Sequence, residues 1–271
     1  MDKGIIDFHI HFAGEDVMYQ DEDDGQQYDY SIDLILQEMD ESGTEYALIS
    51  SLEPMMRTSW LSSNRPGGLL HGGNEKVAEA VARSKGRLLG AFVPNPYKEA
   101  GEIRDEIKLF VETYDFRAIK LHPWLGSYPA NAWELIPVFE AASELRLPVL
   151  YHSGTIPFTT PAEMFDMAKR FPEVPVVMGH AGGTELWYDV MALAEHADNL
   201  LIETSGQPNR IFIQEFAFRF GAKRILYGSD WLGQPGKMLF RKLEMEEVDL
   251  SPSDKEDIFR RNAWKMLKLT S

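Results

Sequence analysis

Eight short apolar runs, most of them rich in β-branched residues, recur along the 271 residues of this chain, and each is followed by a segment of helical period. Such alternation leaves few folds open, because a helix that packs back on the strand before it brings the next strand in parallel. Strands are expected at 4–11, 45–51, 87–94, 116–123, 147–154, 174–182, 199–205 and 224–230. Helices are expected at 31–43, 74–86, 98–114, 131–145, 161–170, 184–197, 209–221 and 236–247, with a terminal helix within 251–269 capped by Ser253 or Asp254. Ser31 with Gly43, and Asn74 with Gly86, bracket the first two helices as N-caps and stops. Pro161 sits in a first turn, where its missing N–H is harmless. Eight βα units in about 250 residues point to an α/β chain folded as a (β/α)8 TIM barrel, one domain over 1–271. A doubly wound sheet is the alternative, but it usually carries a glycine-rich phosphate turn after an early strand, and none is present.

Composition narrows the chemistry. The formal net charge of −16 argues against nucleic acid as a partner, since phosphates need Lys and Arg to neutralise them, and against an anionic membrane surface. No apolar run reaches the length of a membrane span, and "MDKGIIDFHIH" has no secretory pattern, so a cytoplasmic protein acting on a small molecule is the expectation, with a homodimer as the commonest assembly. The chain has no cysteine. Disulfides, thiolate metal sites and a thiol nucleophile are excluded, and any metal must be held by nitrogen and oxygen.

Five of the seven histidines fall at the C-terminal ends of expected strands: His9 and His11 on the first, His122 on the fourth, His152 on the fifth and His180 on the sixth. Asp230 ends the eighth. In a barrel all these ends meet at one mouth, where long loops such as 14–30 and 53–73 also gather. Alternation along a strand aims His9 and His11 the same way, as two arms of a chelate, with Asp7 at the same parity as a partner that can orient one of them. His152 and Asp230 can complete the set. Three imidazoles and one carboxylate suit Zn²⁺ first, and also Mn²⁺ or Fe²⁺.

At these residues the sequence resembles a known family. "DFHIH", "YHSG", "GHAGG" and "GSDW" are similar to motifs of the amidohydrolase superfamily, and specifically of its amidohydrolase-related (amidohydrolase 2) branch, which includes aminocarboxymuconate-semialdehyde decarboxylase and 2-pyrone-4,6-dicarboxylate lactonase. "MDESGTEYALIS", "VARSKGRLLGAFVPNP", "AIKLHP" and the closing "IFRRNAWKMLKL" extend the likeness over nearly the whole chain. The resemblance implies a distorted barrel with one divalent metal held by His9, His11, His152 and Asp230, and His180 beside it as a catalytic residue. Members with two metals bridge them through a carboxylated lysine or a glutamate on the fourth strand, where Lys120 stands. A carbamate there would require an uncharged amine and two metals, so a single metal with Lys120 as a cation is the expected arrangement. His122 departs from the pattern and is left open as a substrate contact, an extra ligand or a structural residue.

These parts suit two reactions. A divalent metal lowers the pKa of a bound water toward neutrality. Asp230 can take the water's proton and pass it to a leaving group, and His180 can meet the carbonyl oxygen. Hydrolysis of a small ester, lactone or amide is the first expectation. Non-oxidative decarboxylation of a small aromatic or unsaturated acid is the alternative, and it needs cations near the mouth, for which Lys120, Arg57, Arg65 and Arg210 are candidates. Trp231 either walls the pocket or belongs to the core, and Glu203 at the end of the seventh strand has no assigned role. A binding protein with a relict site would lack some of the ligands, and all are present.

Overall fold

The computed structural model describes residues 4–14, 18–20, 27–52 and 73–270. Strand β1 (Ile5–Phe12) is buried at all eight positions, as a strand covered on both faces must be. It pairs in parallel with β2 (Thr44–Ser51), and the ladder continues through β3 (Leu88–Phe92), β4 (Ala118–Leu121), β5 (Val149–His152), β6 (Val176–Gly179), β7 (Leu200–Glu203) and β8 (Ile225–Leu226). The ring closes where the chain after β8 returns to β1. Phe8 N–H donates to Tyr227 O at 2.9 Å, Asp230 N–H to His9 O at 2.8 Å and His11 N–H to Trp231 O at 2.9 Å. The architecture is the expected (β/α)8 barrel. A short antiparallel ribbon, Met18–Gln20 with Gln27–Asp29, lies outside it.

Helices α1 (Ile32–Ser42), α2 (Gly73–Arg83), α3 (Ala100–Tyr114), α4 (Ile136–Leu145), α5 (Pro161–Arg170), α6 (Trp187–Ala194), α7 (Arg210–Phe220) and α8 (Lys237–Glu246) ring the sheet. Their boundaries follow side-chain chemistry. Ser31 Oγ accepts the Leu34 N–H, and Gly43 stops α1 in the left-handed region at φ 74°. Thr160 and Glu163 form a reciprocal cap at α5, with Pro161 behind the cap. Two caps differ from the sequence reading. Asn74 lies inside α2, and its amide instead holds both the N–H and C=O of Val93 at the end of β3, a pairing longer in range than any local cap signal. The terminal helix is capped by Ser251, not Ser253 or Asp254, because Pro252 takes the first helical position and Ser251 Oγ accepts the Asp254 N–H at 3.1 Å. This helix runs over 252–266 and is wound as a π-helix at Asp257–Arg261.

Two apolar layers follow. One lies between strands and helices. The other fills the barrel floor with Ile6 and Phe8 from β1 and one or two residues from each other strand, and Ala263 and Leu267 of the terminal helix plug it. In β1 the ladder register slips between Asp7 and Ile10. Phe8 therefore joins the floor, while the next residue, His9, already meets the groups of the mouth. Strand β8 stops early, at Leu226 rather than near residue 230, because past it the chain leaves β7, with Tyr227 N–H donating to Ile258 O, and runs on beside β1 alone, with Asp230 at φ 51°.

Gly90 in β3 shows how closely the outer layer packs. A Cβ there would stand 2.4 Å from the Phe116 ring, which lies against Phe110. Gly90→Ala is therefore expected to cost about 1–3 kcal/mol of unfolding free energy, as overpacking does, read from the urea midpoint at unchanged m-value.

Candidate metal centre

Among the described residues, the C-terminal rim of the barrel gathers five imidazoles, two carboxylates and two ammonium groups, Lys120 and Lys237. His9 and His11 leave β1 on the same side of the slip, and their Nε2 atoms face each other at 3.1 Å. Each ring has its other nitrogen tied down. His9 Nδ1 donates to Glu203 Oε2 at 2.8 Å, and His11 Nδ1 lies 3.1 Å from Ser50 Oγ. Asp230 Oδ1 stands 3.3 Å from His11 Nε2 and 3.7 Å from His9 Nε2. Two lone pairs and a carboxylate oxygen thus converge on one point, and all three residues have a ligand atom within 4.8 Å of the others. Mutually repulsive donors of this kind are what a divalent cation needs, and the nitrogen and oxygen set fits one.

Lys120, fully buried on β4, brings Nζ to 2.6 Å from His9 Nε2. Glu203 accepts the Ser205 hydroxyl at 2.7 Å and the Ser205 backbone N–H as well, so one buried carboxylate orients His9 and anchors the chain after β7. Gly228 makes room for it: a Cβ at this position would meet Glu203 Oε1 at 2.4 Å and the His9 Cβ at 2.8 Å. His180 adopts φ 64° just after β6, and Asp230 is likewise left-handed. Non-glycine residues in that region concentrate where a site over-determines the backbone.

A second row of rings lies beside the first. His180 Nδ1 faces the Ser205 carbonyl at 3.0 Å, an acceptor only, so this nitrogen carries the proton. In the neutral ring, His180 Nε2 then accepts from His152 Nδ1 at 3.0 Å, and His152 Nε2 accepts from Thr155 Oγ1 at 2.9 Å. His122 stacks on His152 with ring centroids 3.9 Å apart, and its Nδ1 accepts the Leu125 N–H, capping the single helical turn Pro123–Gly126.

Burial governs the charge states. It pushes His11 down to about 4 and His152 to about 2, and with the nearby cations it holds His9, His122 and His180 below the ordinary histidine value. It pushes Asp7 up to about 6, Glu203 up to about 8 and Lys120 down to about 8. Burial also pushes the Asp230 carboxyl upward, but the close approach of His11 and the surrounding imidazoles outweigh it, and Asp230 stays well below the usual range.

Residues 6–269 match the amidohydrolase family. The chain belongs to that family. No curated protein matches this chain at the level of sequence, but solved structures share its fold. It superposes on 2,6-dihydroxybenzoate decarboxylase from Rhizobium with a TM-score of 0.70 at 15% identity, covering 98% of this chain and 99% of that one. Dihydroxybenzoic acid decarboxylase from Polaromonas sp. JS666, with bound manganese and the inhibitor 2-nitroresorcinol, gives 0.73 at 17% identity over 98% and 97%. 4-Oxalomesaconate hydratase from Rhodopseudomonas palustris gives 0.66 at 18% identity over 97% and 95%.

The rim brings together His9, His11 and Asp230, with Lys120 against His9. His152 stands outside that set, held between His180 and Thr155, and Arg57, Arg65 and His71 lie outside the described residues. Arg210 does not serve the mouth, because it is half-exposed and paired with Glu247 at the end of α8. Trp231 is core: it is fully buried, edge-on to Tyr30, with Nε1–H donating to Gln234 O at 2.9 Å. Asp7 does not orient a ring, since the slip in β1 takes it out of phase with His9. Its Oδ1 accepts the backbone N–H groups of His9 and Ser229 instead. Sequence reasoning missed Ser50, Ser205 and Lys237, whose Nζ is 3.8 Å from Asp230 Oδ2. Only Lys237 left a signal, as the first residue of the helix that follows Asp230.

The pKa shifts predict an acid-sensitive fold. An imidazole with a depressed folded pKa withholds a proton that the unfolded chain takes up, so its stability contribution is lost as pH falls through the unfolded value, near 6.5. Asp7 and Glu203 act oppositely below their raised values, keeping protons that the unfolded chain releases. Five imidazoles outweigh two carboxylic acids, so between pH 4.5 and 6.5 the stability of metal-free protein should rise steeply with pH. Urea midpoints across that window check it, and a flat or falling profile would contradict these charge assignments.

Proposed function

We propose that this protein is a metal-dependent non-oxidative decarboxylase acting on a small aromatic or unsaturated carboxylic acid. The observation that carries the reading is the fully buried Lys120 ammonium set against the His9, His11 and Asp230 donors. A neutral ester or lactone has no need of a buried cation at the reacting centre, whereas a carboxylate substrate does. The decarboxylases of aromatic acids that share the fold support the same choice, one of them with bound manganese. Motifs alone put hydrolysis first; the buried cation and these neighbours favour the lyase.

His9, His11 and Asp230 would hold the metal, and His152 would join them as the fourth donor by giving up the Thr155 hydroxyl at its Nε2. Manganese is the ion to test first, before zinc. Bound there, the ion supplies Lewis-acid charge stabilisation for the acid and its neighbouring oxygen substituent. Lys120 neutralises the substrate carboxylate from the β4 side. Glu203 keeps the His9 lone pair directed into the mouth by fixing the proton on Nδ1. His180 is the proton donor. With Nδ1–H committed to the Ser205 carbonyl, the proton it delivers is one taken up from solvent at Nε2, which accepts from His152 while the ring is neutral. That proton goes to the ring carbon bearing the carboxylate, the C–C bond breaks, its electron pair returns to the ring, and carbon dioxide leaves. Rings that withhold protons, as these buried imidazoles do, are strong donors once charged.

Manganese-loaded protein should release carbon dioxide from members of a panel of hydroxylated aromatic acids. Cleavage of lactones or amides with no carbon dioxide release would return the assignment to a hydrolase. His9→Ala and Asp230→Ala should lose both stoichiometric metal, by elemental analysis, and turnover. His180→Ala should keep the metal and lose about 10²–10⁴-fold in kcat, the usual worth of a positioned acid.

A further inference from the structure

A cavity of about 490 Å³ opens at the end of the barrel opposite the histidines. Its place is fixed by Pro148 and Pro175, which immediately precede β5 and β6, and by the terminal helix that plugs the floor. Four cations line it: Arg146, Lys223, Arg261 and Lys265. Asp257 is the one carboxylate in the lining, and it is occupied by Arg261 at 2.9 Å. Arg146, Lys223 and Lys265 make no ion pair among the described residues. Lys268, one turn beyond Lys265, adds charge at the rim. Its Nζ reaches the Leu145 carbonyl at 3.3 Å, and its ammonium is lowered by partial burial and by the Arg146 and Arg117 guanidiniums nearby.

Uncompensated positive charge is costly to assemble, and it is unexpected in a chain with a net charge of −16. Residues 261, 265 and 268 form the outward stripe of "IFRRNAWKMLKL", while Ile258, Ala263 and Leu267 face inward and are buried. Burial explains the apolar half of that motif, and ion pairs with Glu45, Glu256 and Asp257 hold Arg260 and Arg261, which leaves Lys265 and Lys268 without a carboxylate partner among the described residues. The π-helical turn at Asp257–Arg261 lies against the same cavity, and such turns recur at functional sites.

We propose that this cavity binds a small organic polyanion, one carrying two or more phosphate or carboxylate charges on a compact apolar body. Lys223 and Lys265 supply point charges, and Arg146 a planar fork for a carboxylate or phosphate. Pro148, Pro175 and Met266 provide the apolar surface. The two prolines have no N–H to offer, so recognition rests on the side chains. The site shares no residue with the catalytic mouth and does not depend on the reaction assigned there.

The test is calorimetric titration of metal-loaded protein with inorganic phosphate, citrate and AMP, at ionic strength held constant with chloride. Saturable binding of at least one is expected, and comparing the three separates phosphate from carboxylate recognition. The Lys223→Glu/Lys265→Glu variant, changed only at exposed positions, should bind at least about tenfold more weakly. Arg146→Gln, a milder change should the double variant fold poorly, should weaken binding in the same direction. Lys120→Met, in the mouth, should leave the affinity unchanged. No saturable binding of any of the three anions, undiminished affinity in the floor variants, or loss of binding in Lys120→Met would each overturn the proposal.

Discussion

The rim of this barrel is organised by one buried carboxylate. Glu203 holds the His9 ring, receives both the hydroxyl and the backbone N–H of Ser205, and lies against Gly228. Through it the ends of β1 and β7 and the chain after β8 are bound into one unit. Its own environment drives it toward the protonated form, yet its partners are donors that favour the anion. Lys120 shares that pocket, where Asp230 first and Glu203 second favour its ammonium against the pull of burial.

That constraint explains why the mouth is both crowded and backbone-strained. Placing five imidazoles, two acids and the ammonium groups of Lys120 and Lys237 in one mouth requires short approaches that regular strands do not provide. The register slip in β1, the early end of β8 and the left-handed residues His180 and Asp230 are the local departures that achieve it. The surrounding α/β ring carries their cost, because its apolar layers are continuous and fully buried.

Much of this was legible in the sequence. The barrel followed from the eightfold alternation, and the convergence of His9, His11 and Asp230 from their positions at strand ends. What escaped reading was of two kinds. Strict alternation along β1 placed Asp7 in phase with His9, and nothing in "IIDFHIHF" announces the slip that puts Phe8 and His9 in neighbouring layers. Small polar groups such as Ser50 and Ser205 also passed unnoticed, because a serine acquires a role only once a ring nitrogen is brought within 3.1–3.2 Å of it. Asn74 was visible as a helix cap, yet it spends its amide on Val93 in a different element, and local signals cannot foresee a long-range hydrogen bond. His152 shows the same limit, since its place at the end of β5 could be read but its partners, His180 and Thr155, could not.

The slip in β1 also separates two inheritances within a single strand. On the barrel side of the strand, Ile6 and Phe8 below the slip answer to packing, and His9 and His11 above it to reactivity. A lineage built on this scaffold is therefore free to exchange its chemistry without disturbing the plug beneath, and to harden the plug without retuning the chemistry.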